Sequence, residues 1–250
     1  MINNLHVEMR KTFRRVDFYI GLILILMIPI LITYDLSSTS PNVSITATGY
    51  QETTFTELYS LILGVIQHTG LLVILVVLSC WNTLGKERDK DIYKSLYLLS
   101  KSKNAVYTSK LVLLISNSIF YTILFFVTLL GSFNLLSPNG ISAAVDINKI
   151  LISSLGFITH YIFFISAALL GATLRGNIGV FTGTVFLFIF FSILNSYEIY
   201  NEYLPIKLLT TGISGSTLSA IGNISIVLVY SIVLLLFSFI IINKTYRRNG

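Results

Sequence analysis

Enzymatic chemistry needs side chains that hold a metal, activate a nucleophile or cradle a phosphate, and this sequence offers few. Its acidic cluster is Glu87, Asp89 and Asp91, inside the run GKERDKDIYKSLYLLSKSKNAVYTSK from 85 to 110. Clustered carboxylates hold divalent cations, but Arg88 and Lys90 alternate with these three and compete for them. His6, His68 and His160 are far apart, and no H-E-x-x-H places two on one helix face. Gly85-Lys86 is followed by Glu87 and lacks the preceding glycine of a phosphate loop, so this device for binding ATP is missing. A G-x-S-x-G nucleophile turn is absent as well. The reading is therefore of a chain that is not an enzyme, with no metal site and no cofactor of its own. What the 85–110 segment does carry is charge: seven of the 17 Lys+Arg residues and three of the 11 acids. Charge of both signs, concentrated in one stretch, suits docking rather than catalysis.

The elements that position this segment are apolar. The 250 residues are 54% hydrophobic and 11% charged, against about 25% charged for a soluble domain. Runs of 18 or more apolar residues recur, each long enough to cross about 30 Å of hydrocarbon as a helix. Six spans are expected, at 18–36, 58–84, 107–136, 150–174, 179–196 and 221–242. Together they make 1–250 a single all-α, polytopic membrane domain. The first span lacks a small-residue cleavage site and is read as retained. Fifteen of the basic residues fall in the N-terminal arm, the connection after the second span, the connection at Arg175 and the C-terminus, while Lys149 and Lys207 fall on the other side. Basic residues favour the cytoplasm, so both termini are expected inside, in a plasma membrane. The net charge of +6 is accounted for by topology, and no nucleic-acid partner is implied. Cys80 stands alone in an apolar run, so there is no disulfide framework.

Two cytoplasmic elements are amphipathic. In residues 1–17, Ile2, Leu5, Met9, Phe13 and Val16 form one helical stripe, with Arg10, Lys11, Arg14 and Arg15 opposite. Such a helix lies in the membrane interface, with basic residues toward lipid headgroups or a partner. After the second span, Lys86, Lys90 and Lys94 recur at i, i+4, i+8 and line one helix face, while Ile92, Leu96 and Leu99 line another beside Tyr93 and Tyr97. Asn104 is the expected cap of the next helix. Within the spans no acid or lysine sits mid-membrane, where an ion-driven carrier usually places one. Gln67, His68, Asn117, His160 and Asn195 are the polar candidates for lining an internal cavity. Such groups also hydrogen-bond between neighbouring helices. Without an internal coupling charge, the energy for any transport is expected from outside the chain.

Six spans, cytoplasmic termini, a basic amphipathic N-terminal helix and a charged loop after the second span resemble the permease subunits of type-two ABC exporters. In that family an acid and basic residues open the arm, as Glu8, Lys11, Arg14 and Arg15 do here. The first cytoplasmic loop begins with an E-R-x-x-x-[TI]-like run, as in Glu87-Arg88-Asp89-Lys90-Asp91-Ile92, and ends on a basic residue, here Lys110. Asp91-Ile92 departs from the Gly-Thr common in the family. The chain is similar in size and composition to peptide-toxin exporters of Gram-positive bacteria, the phenol-soluble-modulin exporters included. The resemblance implies two permease subunits, as a homo- or heterodimer, above two separate ABC ATPase subunits that bind ATP and Mg. It implies a coupling helix at Glu87, Arg88, Asp89, Lys90, Asp91, Ile92, Tyr93 and Leu96, and an amphipathic peptide, toxin or lipid-like substrate. The alternative is a membrane immunity or sensor protein that binds a peptide without transporting it.

Overall fold

A computed structural model describes residues 2–38, 55–68, 70–85, 103–136, 146–196 and 217–248. Helix α1 (Ile2–Thr12) precedes α2 (Val16–Ser38), α3 (Phe55–His68) and α4 (Leu71–Cys80), which continues as a π-helical turn at Trp81–Gly85. Then come α5 (Lys103–Leu136), α6 (Ile147–Phe181), a second π turn at Thr182–Phe186, α7 (Leu187–Ser196) and α8 (Thr217–Arg248). Among the described residues there is no strand.

Three stretches are long and apolar enough to cross a membrane: Val106–Leu135, Ile147–Leu194 and Ala220–Ile242. The second has 48 residues. At 1.5 Å per residue it would extend about 72 Å, more than twice a bilayer core. It does not run straight. Arg175 (φ −141°, ψ 28°) and Gly176 (φ 57°, ψ −131°) leave helical geometry, a conformation open to glycine because it has no Cβ. Residues eight apart on a straight helix are about 12 Å apart, yet a Cβ on Gly171 would overlap the Gly179 carbonyl, and the reverse also holds. A Cβ on Gly183 would lie 2.7 Å from the Ala167 carbonyl oxygen. The stretch is a hairpin whose arms meet backbone to backbone.

Three boundaries differ from the periodicity. The N-terminal helix stops at Thr12 rather than 17, because the amides of Arg14 and Arg15 reach back three residues, to the carbonyls of Lys11 (3.2 Å) and Thr12 (3.0 Å). That tighter turn takes Phe13 and Val16 off the helix. The expected span 58–84 is interrupted where Gly70 takes φ 74°, with the Phe188 ring packed against it. The helix after the charged segment starts at Lys103, so Asn104 lies within its first turn.

Exposed apolar side chains ring the bundle, among them Ile23, Ile123, Leu155, Phe186 and Leu236. A surface of this kind needs lipid or another apolar cover. Inside, hydroxyls close the polar accounts. Ser166, Thr122, Thr184 and Ser231 donate to carbonyls four residues back on their own helices. Others tie helices together: Ser60 to Ser153 (2.9 Å), Tyr59 to Ser154 (2.6 Å), Thr33 to Ser132 (3.2 Å), and Tyr107 to Ser238. In hydrocarbon a polar group must find such a partner, and small hydroxyl residues let helices approach.

The pairings also sort the two ends of the bundle. Arg15 meets Thr83, Lys110 meets Glu8, Gly85 meets Asn177, and Tyr107 meets Ser238, all at one end. At the opposite end the Asp146 amide donates to Thr56 Oγ1 at 2.8 Å. Asp146 also caps α6 there, accepting from the amides of Asn148 and Lys149.

Candidate coupling site at the loop roots

Glu87, Arg88, Asp89, Lys90, Asp91, Ile92, Tyr93 and Leu96 lie outside the described residues. Both roots of their segment are described: the π turn Trp81–Gly85 before it and the start of α5 after it. Helix α1 packs against α5 and bridges these roots with charge.

Glu8 is the centre of that bridge. It is 4% exposed, and Thr12 beside it is buried too. Its Oε1 accepts from Lys11 Nζ at 2.9 Å, and its Oε2 lies 3.6 Å from Lys110 Nζ. Lys110 is fully buried, and its Nζ also donates to the Thr83 carbonyl at 3.0 Å. Arg15 donates to Thr83 Oγ1 at 2.7 Å, and that hydroxyl donates to the Ser79 carbonyl. One acid and three cations thus join the N-terminal arm, the π turn after α4 and the first turns of α5. A buried ammonium is costly unless it is paired and hydrogen-bonded. Lys110 has both kinds of contact. Burial by itself would raise the Glu8 pKa. Lys110, the hydrogen bond from Lys11 and the charge of Arg15 outweigh it and hold the carboxyl below its ordinary 4.5.

The four basic residues of the arm therefore divide. Lys11 and Arg15 turn toward the protein, half-buried, while Arg10 and Arg14 are exposed. Met9, Phe13 and Val16 are exposed as well. Among the described side chains, α1 buries its Glu8–Thr12 edge, with half-buried Leu5 beside it, and leaves Met9 exposed. Sequence periodicity missed this because Glu8 and Lys110 are 102 residues apart; each looks like an ordinary interface charge until the helices pack.

The second contact at the roots is steric. Gly85 is buried against Asn177, in the hairpin turn. A Cβ there would overlap Asn177 Oδ1 and lie 2.9 Å from Asn177 Cα.

Of the polar residues singled out within the spans, the structure describes the side chains of His160 and Asn117. His160 is fully buried in α6, its ring stacked on Phe164 at 5.0 Å. Asn117 is half-buried on α5. Gln67 and His68 end α3, and Asn195 lies near the end of α7; their side chains lie outside what is described.

No curated protein matches the chain. The family described as ABC-2 family transporter protein matches residues 4–195, from α1 through the hairpin into α7. With most of its 250 residues covered by that match and three helical stretches long and apolar enough to cross a membrane, this chain belongs to the ABC-2 transporter family, as a multi-pass membrane component of a transport system.

Proposed function

We propose that this chain is the permease subunit of an ATP-driven exporter and that it receives force through the segment after α4. The cargo is an amphipathic peptide, a toxin or a lipid-like molecule; phenol-soluble modulins of Gram-positive bacteria are peptides of this kind. Six passes cross the plasma membrane, with both termini cytoplasmic. Two permease subunits pair above separate ABC ATPase subunits, which bind ATP and Mg. Glu87–Leu96 is the coupling helix. Helix α1 lies in the cytoplasmic interface with Arg10 and Arg14 toward lipid headgroups or the partner, and any cavity draws on Asn117, His160, Gln67, His68 and Asn195.

The observation that carries this reading is the buried ionic bridge. It fastens the N-terminal arm to both roots of the charged segment: Arg15, in the turn after α1, holds Thr83, and Glu8 of α1 holds Lys110. A loop that only fixed topology would need basic residues nearby, but no rigid mounting. A segment that takes a push needs roots that do not yield.

Replacing Glu87 and Arg88 with alanine should abolish substrate-stimulated ATP hydrolysis in the reconstituted complex while membrane insertion is unchanged. Unchanged turnover would refute the coupling role. Peptide protection with no dependence on the ATPase would favour the immunity or sensor reading. Single cysteines at Ser44 and Ser216 should label from outside intact cells, and one at Lys101 should not; the reverse pattern would overturn the orientation.

A further inference from the structure

We infer that the turn at Arg175–Asn177 is a second transmission contact, through which displacement of the root at Gly85 reaches the α6–α7 hairpin. This rests on the exporter reading above. Positive φ among the described glycines occurs at Gly70 and Gly176, not at Gly85. Glycine is therefore not needed at 85 for its backbone conformation. It is needed for space, because the hairpin tip fills the volume a Cβ would take, down to the Asn177 backbone. The root cannot move toward the hairpin without moving it.

The hairpin in turn is built to move as one body. Gly171 and Gly179 touch through backbone carbonyls, and Gly183 lies against Ala167. Side chains that re-orient can absorb a displacement; closely packed backbone cannot. Helix α8 packs along α6, so a push at the tip spreads to the last helix. Thr83 is two residues before Gly85, so one root carries two connections: the ionic bridge to α1 and α5, and the steric contact to the hairpin. Gly85 and Asn177 are positioning residues in this scheme.

The test uses the full chain purified with its ATPase subunit in lipid nanodiscs, trapped with Mg-ATP and vanadate. One spin-label pair at Arg175 and Val112 reports the hairpin against α5; a second at Ile74 and Val112 reports α4 against α5. All three positions are exposed, and the native Cys80 is buried beyond the reach of the label. In the native complex both distances should shift on trapping. Gly85→Ala should lose the hairpin shift and keep the α4–α5 shift. Asn177→Ala, which adds no bulk, should reduce the hairpin shift selectively. A hairpin shift of native size in both variants would overturn the inference and leave the exporter reading standing. Loss of both shifts together would also overturn it, by assigning these residues a purely structural role. If neither pair responds to nucleotide in the native complex, the ATP-driven reading fails and the inference falls with it.

Discussion

Replacing Glu8 with glutamine removes the acid from a site where Lys110 is fully buried. The change preserves shape and takes away one charge. At 3.6 Å the Glu8–Lys110 attraction is about 5 kcal/mol for an effective dielectric near 20. The Lys11 pair is shorter, but that side chain is 36% exposed, so it adds no more than about 1 kcal/mol. Glutamine avoids part of the cost of desolvating a carboxylate, which offsets several kcal/mol of this gain. Lys110 also keeps the Thr83 carbonyl. The net loss should be about 3 kcal/mol, the lower edge of the range for removing one partner of a buried pair. That corresponds to roughly a hundredfold shift from docked toward undocked α1. Hydrogen exchange of the α1 amides in lipid nanodiscs at neutral pH reads this equilibrium, and exchange should accelerate by about the same factor. Lys110→Met should also accelerate it, and the double variant should be less impaired than the sum of the singles, since no lone buried charge remains. Native exchange in Glu8→Gln, or strictly additive effects in the double variant, would refute the bridge.

Other outcomes follow from the same contacts. Because the folded Glu8 pKa lies below its ordinary 4.5, its contribution to docking is complete above that value. It should decline as pH falls below 4.5 and be gone below the folded pKa, measured by α1 exchange across an acid series. Gly179→Ala drives a Cβ into the Gly171 carbonyl; it should destabilise the hairpin by about 3 kcal/mol or more, seen as a lower melting temperature in detergent. Tyr107→Phe removes the link to Ser238 between α5 and α8. It should cost only about 0.6–1.7 kcal/mol in the same melting assay.

The apolar runs were legible in sequence because the bilayer imposes a length and a composition on each crossing. Their interruptions were less so. Gly70 and Gly176 take positive φ among the described glycines, and nothing local sets them apart from the other glycines of the sequence. The break at Thr12 also escaped the periodicity, because Met9, Phe13 and Val16 keep helical spacing across it. For the site, the arm was recognisable as charged and amphipathic, and the 85–110 segment as charged. Thr83, Gly85 and Asn177 gave no signal, being small or neutral residues at the ends of apolar runs. Lys110 was visible as the basic residue that closes the loop, not as the partner of Glu8.

Composition and charge asymmetry by themselves determined an all-helical membrane chain with one conspicuous charged segment, because burial in lipid and the preference of basic residues for one side act on each residue separately. The pairing of Glu8 with Lys110 and the fit of Gly85 to Asn177 were decided only by tertiary structure. They join residues 102 and 92 positions apart, and no local rule of spacing or propensity connects positions that meet only when the helices pack.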